Sequence, residues 1–144
     1  MFRKLDARIY ASPQIGVDDI AEAKALGIRL IVNNRPEGES DDQPGGATIE
    51  AAARAAGLDY CAIPITHAGF SASQVEAMRR ALDGAGDAGV LAYCRSGTRS
   101  TFLWALAEAG TGRSPDEIAA CAAGAAYDVS SIRAQLDMLS ARTA

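Results

Sequence analysis

Short apolar runs and alanine-rich amphipathic stretches alternate along the chain. Ile28–Val32 and Val90–Tyr93 are brief and largely apolar, as expected of strands buried on both faces of a sheet. Arg8–Ala11 and Leu58–Ile65 are the other strand candidates. Helices are predicted between them. One opens at Asp18 and Asp19 and runs to Leu26, where Gly27 ends it; another spans Ala47–Ala56 and ends at Gly57. A third, capped by Ser71 or Ser73 with Glu76 placed for a capping box from Ser73, runs to about Leu82. Ser100–Ala109 is helical until Gly110-Thr111-Gly112 breaks it. Pro115–Ala123 follows, with Ser114 as N-cap, proline in the first turn and acidic residues beside it. Ser130–Ala141 closes the chain. The longest irregular stretch is Asn33–Gly46, rich in Asp, Glu, Pro and Gly. This alternation predicts one α/β domain over residues 1–144, with about four or five mostly parallel strands between helices.

Composition narrows the function classes. A net charge of −4 and a pI near 4.9 argue against a general nucleic-acid binder, which needs a basic excess to neutralise phosphates. A small anionic substrate remains compatible, because a few local arginines outweigh a weak global charge. The first residues, MFRKLDARIY, hold no long apolar run, so no membrane span or secretory leader is read there and a cytoplasmic location is expected. Three cysteines without a Cys-x-x-Cys pair suggest reduced thiols, and a single histidine makes a His/Cys zinc site hard to assemble. Neither a metal nor a cofactor is called for.

The segment Cys94-Arg95-Ser96-Gly97-Thr98-Arg99-Ser100 carries the strongest chemical signal. It lies between a buried strand and a helix, at the carboxyl edge of the sheet where open α/β folds bind ligands. A turn there aims backbone N–H groups inward, and the following helix adds the positive end of its dipole. Both effects favour a thiolate at Cys94. Gly97 permits a backbone angle denied to most residues. Arg99 is suited to grip an oxyanion through paired hydrogen bonds. Ser100 either donates to the sulfur or caps the helix, and Arg95 either attracts anions or is merely solvated.

CRSGTRS resembles the active loop of rhodanese-type sulfurtransferases, where Cys-x4-Arg forms a small cradle. It is also similar to the cysteine phosphatase signature Cys-x5-Arg-Ser/Thr, but one residue shorter. More widely, the chain resembles the beta-lactamase-hydrolase-like, phosphatase-like domain family, whose fold is that of the dual-specificity phosphatases. Tyr10–Gln14, Asn33–Glu37, Ile63-Pro64, Leu91–Ser100 and Leu103-Trp104 carry that likeness. The resemblance implies Cys94 as nucleophile, Arg99 as anion-binding arginine, and the amides of Arg95, Ser96, Gly97, Thr98 and Arg99 as the cradle. It also implies a functional link to persulfide-oxidising metalloenzymes, to which some relatives are joined.

Residues outside the cradle bear on the reaction. A phosphatase protonates its leaving oxygen, usually with an aspartate from a neighbouring loop. By resemblance that loop follows Ile63-Pro64-Ile65, where this chain has Thr66-His67-Ala68-Gly69 and no carboxylate. His67 is the remaining acid candidate there; as a lone loop histidine it also reads as a plain surface residue. Asp59, within the strand, is badly placed, and Tyr93 stands where phosphatases usually have histidine. Sulfane-sulfur transfer from thiosulfate or a persulfide needs no general acid, since sulfite or a thiolate leaves as an anion. The shorter loop and the missing acid together favour sulfurtransferase, with phosphatase as the alternative and a non-catalytic oxyanion- or persulfide-binding module as a third reading. Arg35, after a central strand, either meets the substrate anion or pairs with Glu37, while Asn33 and Asn34 order the loop through Asx-type hydrogen bonds. Cys61, Cys121 and Trp104 are expected to pack in the interior.

Overall fold

Strands stand in the order β1-β2-β5-β3-β4 in a single five-stranded sheet. They are β1 (Arg3–Lys4), β2 (Ile9–Ser12), β3 (Ile28–Asn33), β4 (Asp59–Ala62) and β5 (Gly89–Tyr93). The helices are α1 (Ile20–Ala25), α2 (Gly46–Ala55), α3 (Ala72–Ala85), α4 (Thr98–Ala109), α5 (Pro115–Gly124) and α6 (Arg133–Thr143). The structure, a computed structural model, describes residues 1–143; Ala144, included in the expected domain, lies outside the described residues. Pairing is parallel throughout β2, β5, β3 and β4, and only β1 runs antiparallel, against β2. A two-residue exposed strand has no periodic pattern to betray it, which is why β1 escaped the reading of the sequence.

Both faces of the sheet are covered. Val90 and Ala92 of β5 point toward α3, α4, α5 and α6, where Trp104, Leu103, Met78 and Leu136 fill the larger core. Leu91 and Tyr93 point the other way, into a smaller core with Ile20 of α1 and Ile49 and Ala53 of α2. Strict alternation is broken in β3. A register shift between Ile28 and Leu30 turns Ile28 and Ile31 to the same side, so both join the α1/α2 core. Burial on two faces explains why these strands carry apolar runs instead of an in–out pattern.

α4 has Leu103, Trp104, Ala105, Leu106, Ala107 and Ala109 buried and so is apolar nearly all round, as a helix through the middle of a core must be. α3 is capped by Ser71, the first of the two expected serines. Ser71 Oγ accepts from the Gln74 amide at 3.2 Å, and Gln74 Oε1 accepts from the Ser71 amide at 2.8 Å. Ser71 and Gln74, not Ser73 and Glu76, form the capping box, a device worth about 1 kcal/mol. β4 is shorter than the apolar run Leu58–Ile65, because Pro64 interrupts it. Parallel bonding nonetheless continues through Ile63 N–H to the Asn33 carbonyl and Ile65 N–H to the Asn34 carbonyl, both 2.9 Å. That continuation carries residues 63–65 to the carboxyl edge of the sheet.

Candidate active site

The cradle begins where β5 ends. Cys94 N–H donates to the Ser12 carbonyl at 3.2 Å and Gln14 N–H to the Arg95 carbonyl at 3.4 Å, so the loop is stitched to the segment after β2. Asn34 N–H donates to the Tyr93 carbonyl at 2.8 Å on the other flank. Cys94 is fully buried beneath the loop. Its Sγ accepts from the Gly97 amide at 3.1 Å. Gly97 has φ of +93°, the left-handed conformation expected of it, and serves as N-cap of α4. α4 therefore starts at Thr98, two residues before the expected Ser100, and Arg99 and Ser100 fall in its first turn. Thr101 closes the turn, donating N–H and Oγ1–H to the Gly97 carbonyl at 3.0 and 2.8 Å.

Arg99 is gripped by a residue that the sequence did not single out. Its Nη1 and Nη2 donate to the two carboxylate oxygens of Glu39 at 2.8 Å each, and Nη1 also donates to the Ile65 carbonyl at 2.6 Å. Glu39 comes from the irregular Asn33–Gly46 loop, and both partners are mostly buried. The hydrogen bonds from Arg99, and secondarily Arg35, pull the Glu39 carboxyl from 4.5 down to about 2, against the opposing effect of burial. In return Glu39 holds Arg99 more firmly protonated, and the neighbouring Cys94 side chain acts in the same direction.

Arg35 is nearly buried and its guanidinium is committed on every side. Nε donates to Glu39 at 3.0 Å, Nη1 to Gln14 Oε1 at 3.1 Å and Nη2 to Ser40 Oγ at 3.0 Å. Its ionic partner is Glu39, not Glu37, which instead accepts from the Gly46 amide at 2.7 Å at the start of α2. The reason is geometric. An Asx-type bond from Arg35 N–H to Asn33 Oδ1 at 2.9 Å turns the chain, bringing Glu39 back over Arg35. Arg35 is thus a latch for the loop that holds Arg99.

Ser100 takes neither expected role. Its hydroxyl donates to Asn34 Oδ1 at 2.7 Å, and Asn34 Nδ2 donates to the Ile63 carbonyl at 2.9 Å, all in the interior. With α4 starting at Thr98, Ser100 faces the β3 edge and ties the helix to it. Arg95, Ser96 and Thr98 line the outer, exposed side of the loop, where Ser96 Oγ donates to Thr98 Oγ1 at 3.1 Å. His67 stands exposed in the turn Thr66–Gly69, next to the Ile65–Arg99 contact but outside that bonded network. Asp59 is exposed at the start of β4, the end away from the cradle. Cys61 and Cys121 are free and partly buried, and burial pushes the Cys61 thiol up. Glu39, Gln14 and Tyr127, whose hydroxyl donates to the Ser96 carbonyl at 3.1 Å, were missed. Each reaches the cradle from a distant part of the chain, so no local pattern marks them.

A mostly parallel sheet with a cysteine loop at its carboxyl edge and a buried helix directly after it is the arrangement of the phosphatase-like α/β fold. A structure of PTPMT1 superposes with a TM-score of 0.73 over 99% of this chain and 98% of that one, at 12% identity, which is a likeness of fold. The chain belongs to the family described as beta-lactamase hydrolase-like protein, phosphatase-like domain, which matches residues 1–111. A beta-lactamase hydrolase-like protein of Xylella fastidiosa is 35% identical over 126 residues, 87% of this chain but 29% of that protein. This chain therefore spans under a third of that relative. The structure of a putative phosphatase from Neisseria meningitidis is 36% identical, with a TM-score of 0.81 over 95% of this chain and 96% of the other. These likenesses lie with phosphatase-like proteins, and none carries the rhodanese reading of the loop.

Proposed function

We propose that this protein is a cysteine-dependent phosphomonoesterase that passes through a phosphocysteine at Cys94. The observation that carries the reading is the Cys94 sulfur held 3.1 Å from the Gly97 amide at the base of a cradle whose arginine is fixed in a two-pronged bond to Glu39. The 36% identity over nearly the full length to a putative phosphatase supports it. This choice puts phosphatase ahead of the sulfur transfer favoured by the shorter loop and the missing acid, since the family match and the 36% identical solved structure both lie with phosphatase-like proteins.

In the first step the Cys94 thiolate attacks phosphorus, forming a P–S bond as the P–O bond to the leaving group breaks. Arg99 and the loop amides hold the phosphoryl oxygens as charge shifts onto them. Water then attacks phosphorus, the P–S bond breaks, and inorganic phosphate leaves with the thiolate restored. Glu39 is no proton donor for the leaving oxygen: held at about 2, it is ionised at any working pH. The Thr66–Gly69 turn offers His67 and no carboxylate. Substrates with stable leaving anions, such as aryl phosphates, are therefore favoured over alkyl phosphates.

A second reading rests on the loop count. Cys-x4-Arg encloses one residue fewer than the phosphatase signature, and a sulfane sulfur is smaller than a tetrahedral phosphate. Here the thiolate attacks the outer sulfur of a persulfide or thiosulfate, a Cys94 persulfide forms, and a thiolate or sulfite departs. A persulfide-oxidising metalloenzyme would be the natural functional partner. Intact-mass measurement separates the two after incubation with an aryl phosphate or with thiosulfate. A phosphoryl-sized gain on Cys94 together with Cys94-dependent phosphate release supports the first reading. A sulfur-sized gain without phosphate release replaces it with the second.

A further inference from the structure

One peptide unit decides what the Cys94 sulfur sees. The Ser96 carbonyl and the Gly97 N–H belong to the same trans peptide, so they point in opposite directions. The N–H faces Cys94 Sγ at 3.1 Å, and the carbonyl accepts from Tyr127 Oη, also at 3.1 Å, on the far side. Rotating this unit by half a turn would present a carbonyl oxygen to the thiolate in place of a donor. Glycine tolerates both signs of φ, so Gly97, at +93°, makes this the peptide of the loop best able to rotate. The glycine is also obligatory there: a Cβ at Gly97 would collide with the Tyr127 hydroxyl.

Tyr127 is itself firmly placed. It is nearly buried, and its amide donates to the Ala122 carbonyl at 2.9 Å as the chain leaves α5. Ala126, at φ +66°, takes the left-handed turn that swings the ring back over the loop, a conformation costing an alanine about 1 kcal/mol. Arg3 of β1 lies over the ring, 5.2 Å from its centroid, and donates to the Ala125 carbonyl at 3.4 Å. Tyr127 lies outside residues 1–111, the part matched to the family.

We propose that Tyr127 is a positioning residue, which locks the Ser96–Gly97 peptide with its N–H toward the Cys94 sulfur and so sustains the thiolate. The proposal rests on Cys94 being the nucleophile, not on the group it transfers. Arg99 of α4 also bears on the Cys94 sulfur, and both it and the exposed Arg95 are retained in the test.

Tyr127→Phe keeps the ring and its packing and removes only the donor. Alkylation of Cys94 by iodoacetamide, followed by peptide mass spectrometry across a pH series, reads the effect without any substrate, with Cys61 and Cys121 as internal references. In Tyr127→Phe the Cys94 profile is expected to move to higher pH. Its neutral-pH rate should fall roughly three- to tenfold, as for a weakened hydrogen bond to a charged group, while the references stay put. Superposable Cys94 profiles in folded native and Tyr127→Phe protein overturn the proposal. Should Tyr127→Phe melt below the assay temperature, native and variant protein are compared at a lower temperature where both are folded, and an unmoved profile there is equally fatal. Failure of the phosphatase reading would instead appear as absent turnover in native protein with the alkylation difference intact.

Discussion

Two loops meet at the carboxyl edge of the sheet, and they are built on opposite plans. Residues 94–100 form a cradle whose key contacts are local: Gly97 to Cys94, Thr101 to Gly97 and Ser96 to Thr98. Residues 33–46 form a latch whose key contact is remote, Glu39 reaching Arg99 across the site. The first presents donors to an anion. The second supplies an anion of its own, which fixes the arginine before any substrate arrives. Preorganisation at this site is thus shared between a backbone nest and an ion-paired loop.

Removing the cradle's nucleophile breaks the comparison most completely. Cys94→Ser should lower turnover by about a thousandfold or more, because an alcohol at neutral pH is a poor nucleophile without a base, and steady-state kinetics with the mass assay would show it. Glu39→Gln should come next. Arg99 and Arg35 would lose their shared carboxylate, lowering kcat/KM by roughly ten- to a hundredfold and stability by about 1–3 kcal/mol, as seen in kinetics and denaturant melts. The same carboxylate has a pH signature. Its value in the folded protein is about 2 against an ordinary 4.5. Its contribution to stability is therefore complete above about 4.5 and fades as pH falls toward about 2, so the native protein should lose stability across that window more steeply than Glu39→Gln.

Arg35→Lys tests the latch without touching the cradle. A lysine keeps the charge but cannot reach Glu39, Gln14 and Ser40 together, so activity should fall several-fold, with a stability loss of about 1 kcal/mol. The smallest effect is expected at His67. Exposed and outside the bonded network, its replacement by alanine should change turnover of an aryl phosphate by less than about twofold. A large loss confined to alkyl phosphates would assign it the proton donor's role.

Legibility followed the same division. The strands β2, β3 and β5 and all the helices were readable because caps, glycines and apolar runs act over a few residues. Cys94, Gly97 and Arg99 were readable because a nest is made of consecutive amides. β1 was not, having two exposed residues and nothing to pattern. Arg35 reads from the sequence as meeting a substrate anion or pairing with Glu37, yet an Asx bond at Asn33 folds Glu39 onto it. With α4 starting at Thr98, Ser100 lies inside the first turn and its hydroxyl meets Asn34, a partner 66 residues away that no local pattern marks.

The cradle at Cys94 was therefore determined by the sequence alone, as far as cysteine, turn and arginine go. Short-range sterics and consecutive backbone donors leave that loop little choice. Tertiary structure decided how the cradle is held: Glu39 on Arg99, Asn34 on Ser100 and Tyr127 on the Ser96 carbonyl. Those partners lie 60, 66 and 31 residues apart in the chain. No local propensity encodes such pairs, because they exist only once the buried sheet has brought its edges together.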